Sequence, residues 1–129
     1  MSHGALVLII EDNPKNLKLA RDVLNHTGYE TLEAETAEDG LALARTRHPD
    51  IVLMDVQLPG MDGVEALDRL RSHPETRDIP VIALTAFAMK EDRERFLAAG
   101  FDRYVAKPLD IREFPRQVAA ALAAAGANA

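Results

Sequence analysis

Three features of the sequence predict an α/β fold, a parallel sheet with helices on both faces. Short apolar runs alternate strictly with helix-patterned segments along the chain. The run "IVLMD" (51–55) is apolar until its last residue, the pattern of a strand buried on both sides. With 129 residues the chain suits one domain and is too short for two of ordinary size. We therefore expect a single domain over 1–129, with its core at about 6–124.

The first strand is predicted at "LVLII" (6–10). Asn13-Pro14 then supplies an N-cap with proline at the first helical position, and Gly28 a stop. Leu17, Ala20 and Leu24 mark one face of that helix. "ETLEA" (30–34) alternates more than the other strands, which places it at the sheet edge. Thr36 with Asp39, and Asp62 with Glu65, resemble capping boxes opening the second and third helices. "PVIALT" (80–85) reads as the fourth strand, and the fourth helix runs from about Ala88 to Gly100 with "KEDRER" as its solvated face. "RYVA" (103–106) is the fifth strand. A fifth helix starts near Asp110 and carries Ile111, Phe114, Val118 and Leu122 at roughly helical spacing. Pro115 falls about one turn into it, lacking the N–H owed to Ile111, which puts that helix start in question. The "AAAGANA" tail is expected to fray.

Composition narrows the function. Hydrophobic residues make up 47% and charged residues 28%, which excludes a disordered chain. No cysteine is present, so disulfides and thiolate metal sites are excluded, and a reducing, cytoplasmic setting fits. "ALVLII" is too short for a signal-peptide core or a membrane span. A net charge of −6 argues against nucleic acid or an anionic membrane as a partner. His26, His48 and His73 read as surface residues, and Met54 and Met61 as packing.

In an open α/β sheet, ligands bind beyond the C-terminal ends of the strands. Those ends carry Glu11-Asp12, Asp55, Thr85 and Lys107-Pro108. If the first and third strands are neighbours, three carboxylates converge. Two carboxylates about 4 Å apart repel by roughly 4 kcal/mol at an effective dielectric near 20. Such a cluster persists by raised pKa values or by binding a cation, and all-oxygen ligation suits Mg²⁺. Lys107 balances part of the charge; the remainder suits a divalent ion together with an anion. A phosphoryl group matches, with Lys107 holding one oxygen, the Thr85 hydroxyl donating to another, and Asp55 as nucleophile.

"IIEDN" (9–13), "LMDVQLPGMDG" (53–63), "ALTAFA" (83–88) and "YVAKPL" (104–109) together resemble receiver domains of two-component response regulators. The resemblance covers the chain from Leu6 to about Ala124. It implies a flavodoxin-like (βα)5 three-layer sandwich with strand order 2-1-3-4-5. It also implies Asp55 as phosphoacceptor, Glu11 and Asp12 as an acidic pair, and Mg²⁺ on Asp12, Asp55 and the Gln57 backbone carbonyl. Thr85 and Tyr104 match the family's switch pair, Lys107 its phosphate-contacting lysine, and the Lys107-Pro108 bond is expected to be cis. The implied partners are a histidine kinase or histidine phosphotransferase and a downstream protein effector, with no DNA or membrane binding. The implied role is a signalling switch and not an enzyme, beyond Mg²⁺-dependent self-phosphorylation from small donors and autodephosphorylation.

Simpler readings exist for each residue. Asp12 could cap the first helix, Thr85 could be an N-cap, Lys107 a solvated charge and Tyr104 a core residue; their joint occurrence at strand ends outweighs these. A flavodoxin would need a neutral, hydroxyl-rich loop in place of "EDNP". A dehalogenase-type phosphatase would carry an acid at the position of Gln57. A pseudo-receiver would not need the set Asp12, Asp55, Thr85 and Lys107. The segment 83–109 resembles both stand-alone regulators of the DivK type and receivers of hybrid histidine kinases, from which the domain could be excised.

Overall fold

The computed structural model describes residues 4–86 and 89–127. The elements run β1 (Leu6–Ile10), α1 (Pro14–Thr27), β2 (Glu30–Ala34), α2 (Ala37–Arg47), β3 (Ile51–Asp55), α3 (Gly63–Ser72), β4 (Val81–Thr85), α4 (Lys90–Ala99), β5 (Arg103–Ala106) and α5 (Glu113–Ala127). All strand pairs are parallel, in the order β2-β1-β3-β4-β5. The predicted fold class and the edge position of β2 both hold.

Side-chain alternation along the three central strands divides the core in two. Leu8, Ile10, Val52, Met54, Val81 and Ala83 pack beneath α2, α3 and α4. Val7, Ile9, Ile51, Leu53, Ile82 and Leu84 pack against α1 and α5. Every residue of β3 and β4 is buried, because both faces of these strands are covered. Met54 and Met61 are core residues, as expected.

The helix signals are used as predicted. Asn13 Oδ1 accepts from the amides of Lys15 and Asn16, and Gly28 closes α1 at φ 106°, a conformation open to glycine. Thr36 Oγ1 accepts from Asp39 N, and Asp62 Oδ1 from Glu65 N. Leu17, Ala20 and Leu24 are the buried face of α1. At the N-terminal end of the sheet, Arg71 on α3 donates to the carbonyls of Arg77 (3.0 Å) and Ile79 (2.6 Å) and to the Asp102 carboxylate (3.0 Å). Asp102 in turn accepts from Val81 N, so one guanidinium ties α3 to the starts of β4 and β5.

Several boundaries differ from expectation. β4 begins at Val81, since Pro80 has no N–H to add to the ladder, although its carbonyl accepts from Val52 N. Ala88, the expected start of the fourth helix, lies outside the described residues, and α4 is regular from Lys90. The helix α5 continues through most of the alanine-rich tail to Ala127, because alanine has the highest helix propensity. Ile111 does not share the buried face: it is 63% exposed, whereas Phe114, Val118 and Ala121 are buried.

Proline 115 accounts for this. The carboxylate of Asp110 accepts from Arg112 N and Glu113 N, and its carbonyl from Phe114 N, so a helical turn is capped at Asp110. The next bond in the series would need an N–H at Pro115, and regular helix begins only at Glu113. In Pro115→Ala an amide is available to the Ile111 carbonyl, and regular helix should begin about two residues earlier. Stability should change by less than about 1 kcal/mol, since the added bond is offset by greater freedom of the unfolded chain. Amide exchange and urea denaturation read the two effects; a loss of about 3 kcal/mol would show that the proline holds α5 in place.

Candidate functional site

The register of the sheet assembles the site. Ile10 pairs with Met54, so Glu11 and Asp55, one residue further along neighbouring strands, leave the core side by side. Asp55 pairs with Leu84, and Thr85 with Ala106, which brings Thr85 and Lys107 to the same end. Glu11, Asp55 and Thr85 are buried, while Asp12 is exposed. Glu11, Asp12 and Asp55 each offer a carboxylate oxygen, all within 4.8 Å of one another. The predicted convergence of three acids is therefore present.

Lys107 binds two of them. Its Nζ lies 2.6 Å from Glu11 Oε1 and 3.0 Å from Asp55 Oδ2. The lysine is fixed from behind by its backbone amide, which donates to the Thr85 carbonyl at 2.8 Å, and the Lys107-Pro108 peptide is cis. Two backbone amides orient the acids. Gln57 N donates to Asp55 Oδ1 at 2.8 Å, and Asn13 N to Glu11 Oε2 at 3.2 Å. Sequence reasoning missed both amides, although a residue two positions after an acid in a turn is a common donor to it.

Burial, followed by the neighbouring Asp55, pushes the Glu11 carboxyl up to about 7. Burial also acts on Asp55, but Glu11, the Gln57 amide and the Lys107 ammonium together hold it below the usual carboxylate range. The Lys107 ammonium is raised: burial opposes its charge, and Glu11 and Asp55 outweigh that. Three carboxylates converge here and one lysine meets two of them, which leaves the site short of positive charge. An all-oxygen donor set of this kind suits a hard divalent cation, and the cluster could hold one.

The other expected residues lie around this cluster. Gln57 is exposed in the β3–α3 connection. Tyr104 on β5 is half-buried against the α2–α4 side of the core, and the Arg93 guanidinium lies 5.0 Å from its ring centroid. His26 and His48 are exposed and His73 half-buried, none of them in the acidic cluster.

A prediction follows for metal-free protein. A carboxyl whose folded pKa lies above its unfolded value binds more protons in the folded state, so stability falls as pH rises between the two. For Glu11 that window runs from about 4.5 to about 7. Glu11→Gln removes the titration, and with chelator present it should exceed wild type in stability at pH 8 by as much as about 3 kcal/mol. The difference should shrink towards pH 5. Urea denaturation at the two pH values measures it, and a variant less stable than wild type at pH 8 would contradict the assignment.

Residues 7–119 match the family model described as "Response regulator receiver domain". The Brucella ovis protein "Polar-differentiation response regulator DivK" is 47% identical over 108 residues, covering 84% of this chain and 88% of its own. Among solved structures, a response regulator from Chloroflexus aurantiacus superposes with a TM-score of 0.88 at 32% identity, covering 93% of this chain and 98% of that one. The receiver domain of a sensor histidine kinase from Pseudomonas aeruginosa, with a magnesium ion in its active-site cleft, gives 0.85 at 34% identity and the same coverage. The match across the whole sheet, with acids at the ends of β1 and β3 and a lysine after β5, leads to one conclusion: the chain belongs to the response regulator receiver domain family of two-component systems.

Proposed function

We propose that this chain is a phosphorylation-controlled switch that accepts a phosphoryl group on Asp55 from a histidine kinase or histidine phosphotransferase. The observation that carries this reading is the Lys107 ammonium bridging Glu11 and Asp55 at the mouth of the sheet. In the transfer, an Asp55 carboxylate oxygen forms the new P–O bond as the donor's P–N bond breaks and its imidazole takes up a proton. The Gln57 amide keeps Asp55 in one orientation for that attack. Lys107 stays beside the carboxylate and meets the negative charge of the incoming group. Asp12, Asp55 and the Gln57 carbonyl would hold Mg²⁺, with Glu11 acting indirectly, and the ion would shield the phosphoryl oxygens. A small donor such as acetyl phosphate would pass its phosphoryl group to the same oxygen as its P–O bond breaks and acetate leaves, and water would hydrolyse the acyl phosphate to aspartate and phosphate.

Output is by protein–protein interaction. Among the described residues no helix is long and apolar enough to cross a membrane, and the net charge of −6 does not favour DNA. We assign a cytoplasmic role as a single receiver domain over 1–129. The likeness to both a DivK regulator and a kinase receiver leaves the same chemistry at Asp55 in a stand-alone protein or a hybrid kinase.

Incubation with acetyl phosphate and Mg²⁺ should add one phosphoryl group, labile to hydroxylamine as an acyl phosphate is. The label should be absent from Asp55→Ala and should form at least about tenfold more slowly in Asp12→Asn. Intact-mass measurement reads both, and a label that persists in Asp55→Ala would falsify the assignment.

The switch is assigned to Thr85 and Tyr104. A phosphoryl group on Asp55 offers acceptor oxygens to the Thr85 hydroxyl, and movement of Thr85 makes room for the half-buried Tyr104 ring. Only a partner that binds the two states unequally is switched by this. Thr85→Ala should accept phosphate at Asp55 yet lose most of the affinity difference between phosphorylated and unmodified forms. Titration of a captured partner against both forms tests it; an unchanged ratio would remove Thr85 from the mechanism.

A further inference from the structure

We propose that Gly63 is a positioning residue for the cation site: with no side chain, it lets the start of α3 close against Val56 and so fixes where the Gln57 peptide lies. This rests on the reading that Asp12, Asp55 and the Gln57 carbonyl hold Mg²⁺.

A Cβ on Gly63 would lie 2.7 Å from Val56 Cα and 3.1 Å from its Cβ and Cγ1. Carbon atoms pack comfortably at about 3.5–4.0 Å, and the nearest atom here is backbone, so no rotamer change relieves the contact. Gly63 is not among the residues of positive φ; what the site requires of it is space, not backbone freedom. The approach is closed by Gly63 N donating to the Val56 carbonyl at 3.2 Å, while Val56 N donates to the Leu84 carbonyl at 3.1 Å. Val56 is therefore held between β4 and α3.

The next residue is Gln57, whose amide orients Asp55 Oδ1 at 2.8 Å. A methyl at position 63 pushes Val56, and the peptides on either side of it must turn. One displacement thus reaches the amide that orients Asp55 directly, and the carbonyl assigned to the ion one peptide further on, through the Gln57 backbone. Gly40 offers a built-in comparison. A Cβ there would collide with Ile10 Cδ1 and Cγ1, side-chain atoms, with no backbone of the Val56–Gln57 segment among its nearest contacts.

The test is Mg²⁺ titration of chelator-treated protein, followed by amide NMR shifts of residues 55–57, beside urea denaturation. Gly63→Ala should shift these amides before any metal is added and weaken Mg²⁺ binding about tenfold. Gly40→Ala should lose stability but bind Mg²⁺ within about twofold of wild type. Should Gly63→Ala fail to fold, Gly63→Ala/Val56→Ala, which removes the Cγ1 contact, carries the same measurement with an expected loss of about threefold. A folded Gly63 variant that binds like wild type would overturn the proposal, as would an equal loss in Gly40→Ala. Wild-type protein with no Mg²⁺-dependent shifts would overturn the cation reading itself and this proposal with it.

Discussion

Two carboxylates leave the core on adjacent strands, and a single ammonium lies between them. The contact of Lys107 with Glu11 and Asp55 is the interaction on which the C-terminal end of the sheet depends. Without it, two buried acids would face each other with a repulsion of several kcal/mol. With it, the cluster persists but is not neutral, and burial, followed by the neighbouring Asp55, raises the Glu11 carboxyl. The surrounding backbone is arranged around that imbalance. The Asn13 and Gln57 amides point at the acids, and the Thr85 carbonyl anchors the lysine.

The opposite end of the sheet is joined differently. Arg71 meets carbonyls of the α3–β4 connection and Asp102, and Asp102 meets Val81 N. The difference is physical and local. A guanidinium presents several directed donors and suits a permanent joint, whereas one ammonium shared between two acids leaves acceptor capacity for a ligand. Stability is concentrated at one end of the strands and chemistry at the other, as an open α/β sheet allows.

Between the cluster and the surface runs a short path: Asp55 pairs with Leu84, Thr85 follows, and Ala83 pairs with Tyr104. Tyr104 is packed on one side and met by Arg93 from α4 on the other. An exposed cation–π contact of this kind is worth about 0.5–1 kcal/mol. In the proposed switch, a change of that size would be within reach of a phosphoryl group forming one or two charge-assisted hydrogen bonds at Thr85 and Lys107.

The sequence by itself determined the fold class and which acids and lysine would gather at the strand ends. Alternation of apolar runs with helical segments, full burial of "IVLMD" and the acids and lysine at strand ends are local patterns, readable because burial and periodicity are written residue by residue. Caps at Asn13, Thr36 and Asp62 were legible for the same reason. Tertiary structure decided the rest. Ile111 has helical spacing yet lies exposed, because Pro115 delays the regular helix by removing a donor. The alanine-rich tail continues α5 as far as Ala127, since helix propensity prevails over its near-terminal position. Which acids pair with Lys107, which amides orient Asp55, and how little room position 63 has beside Val56 depend on distances between segments far apart in the chain or on the closure of a loop. Those distances are set by strand register and helix packing, which no single stretch of sequence encodes.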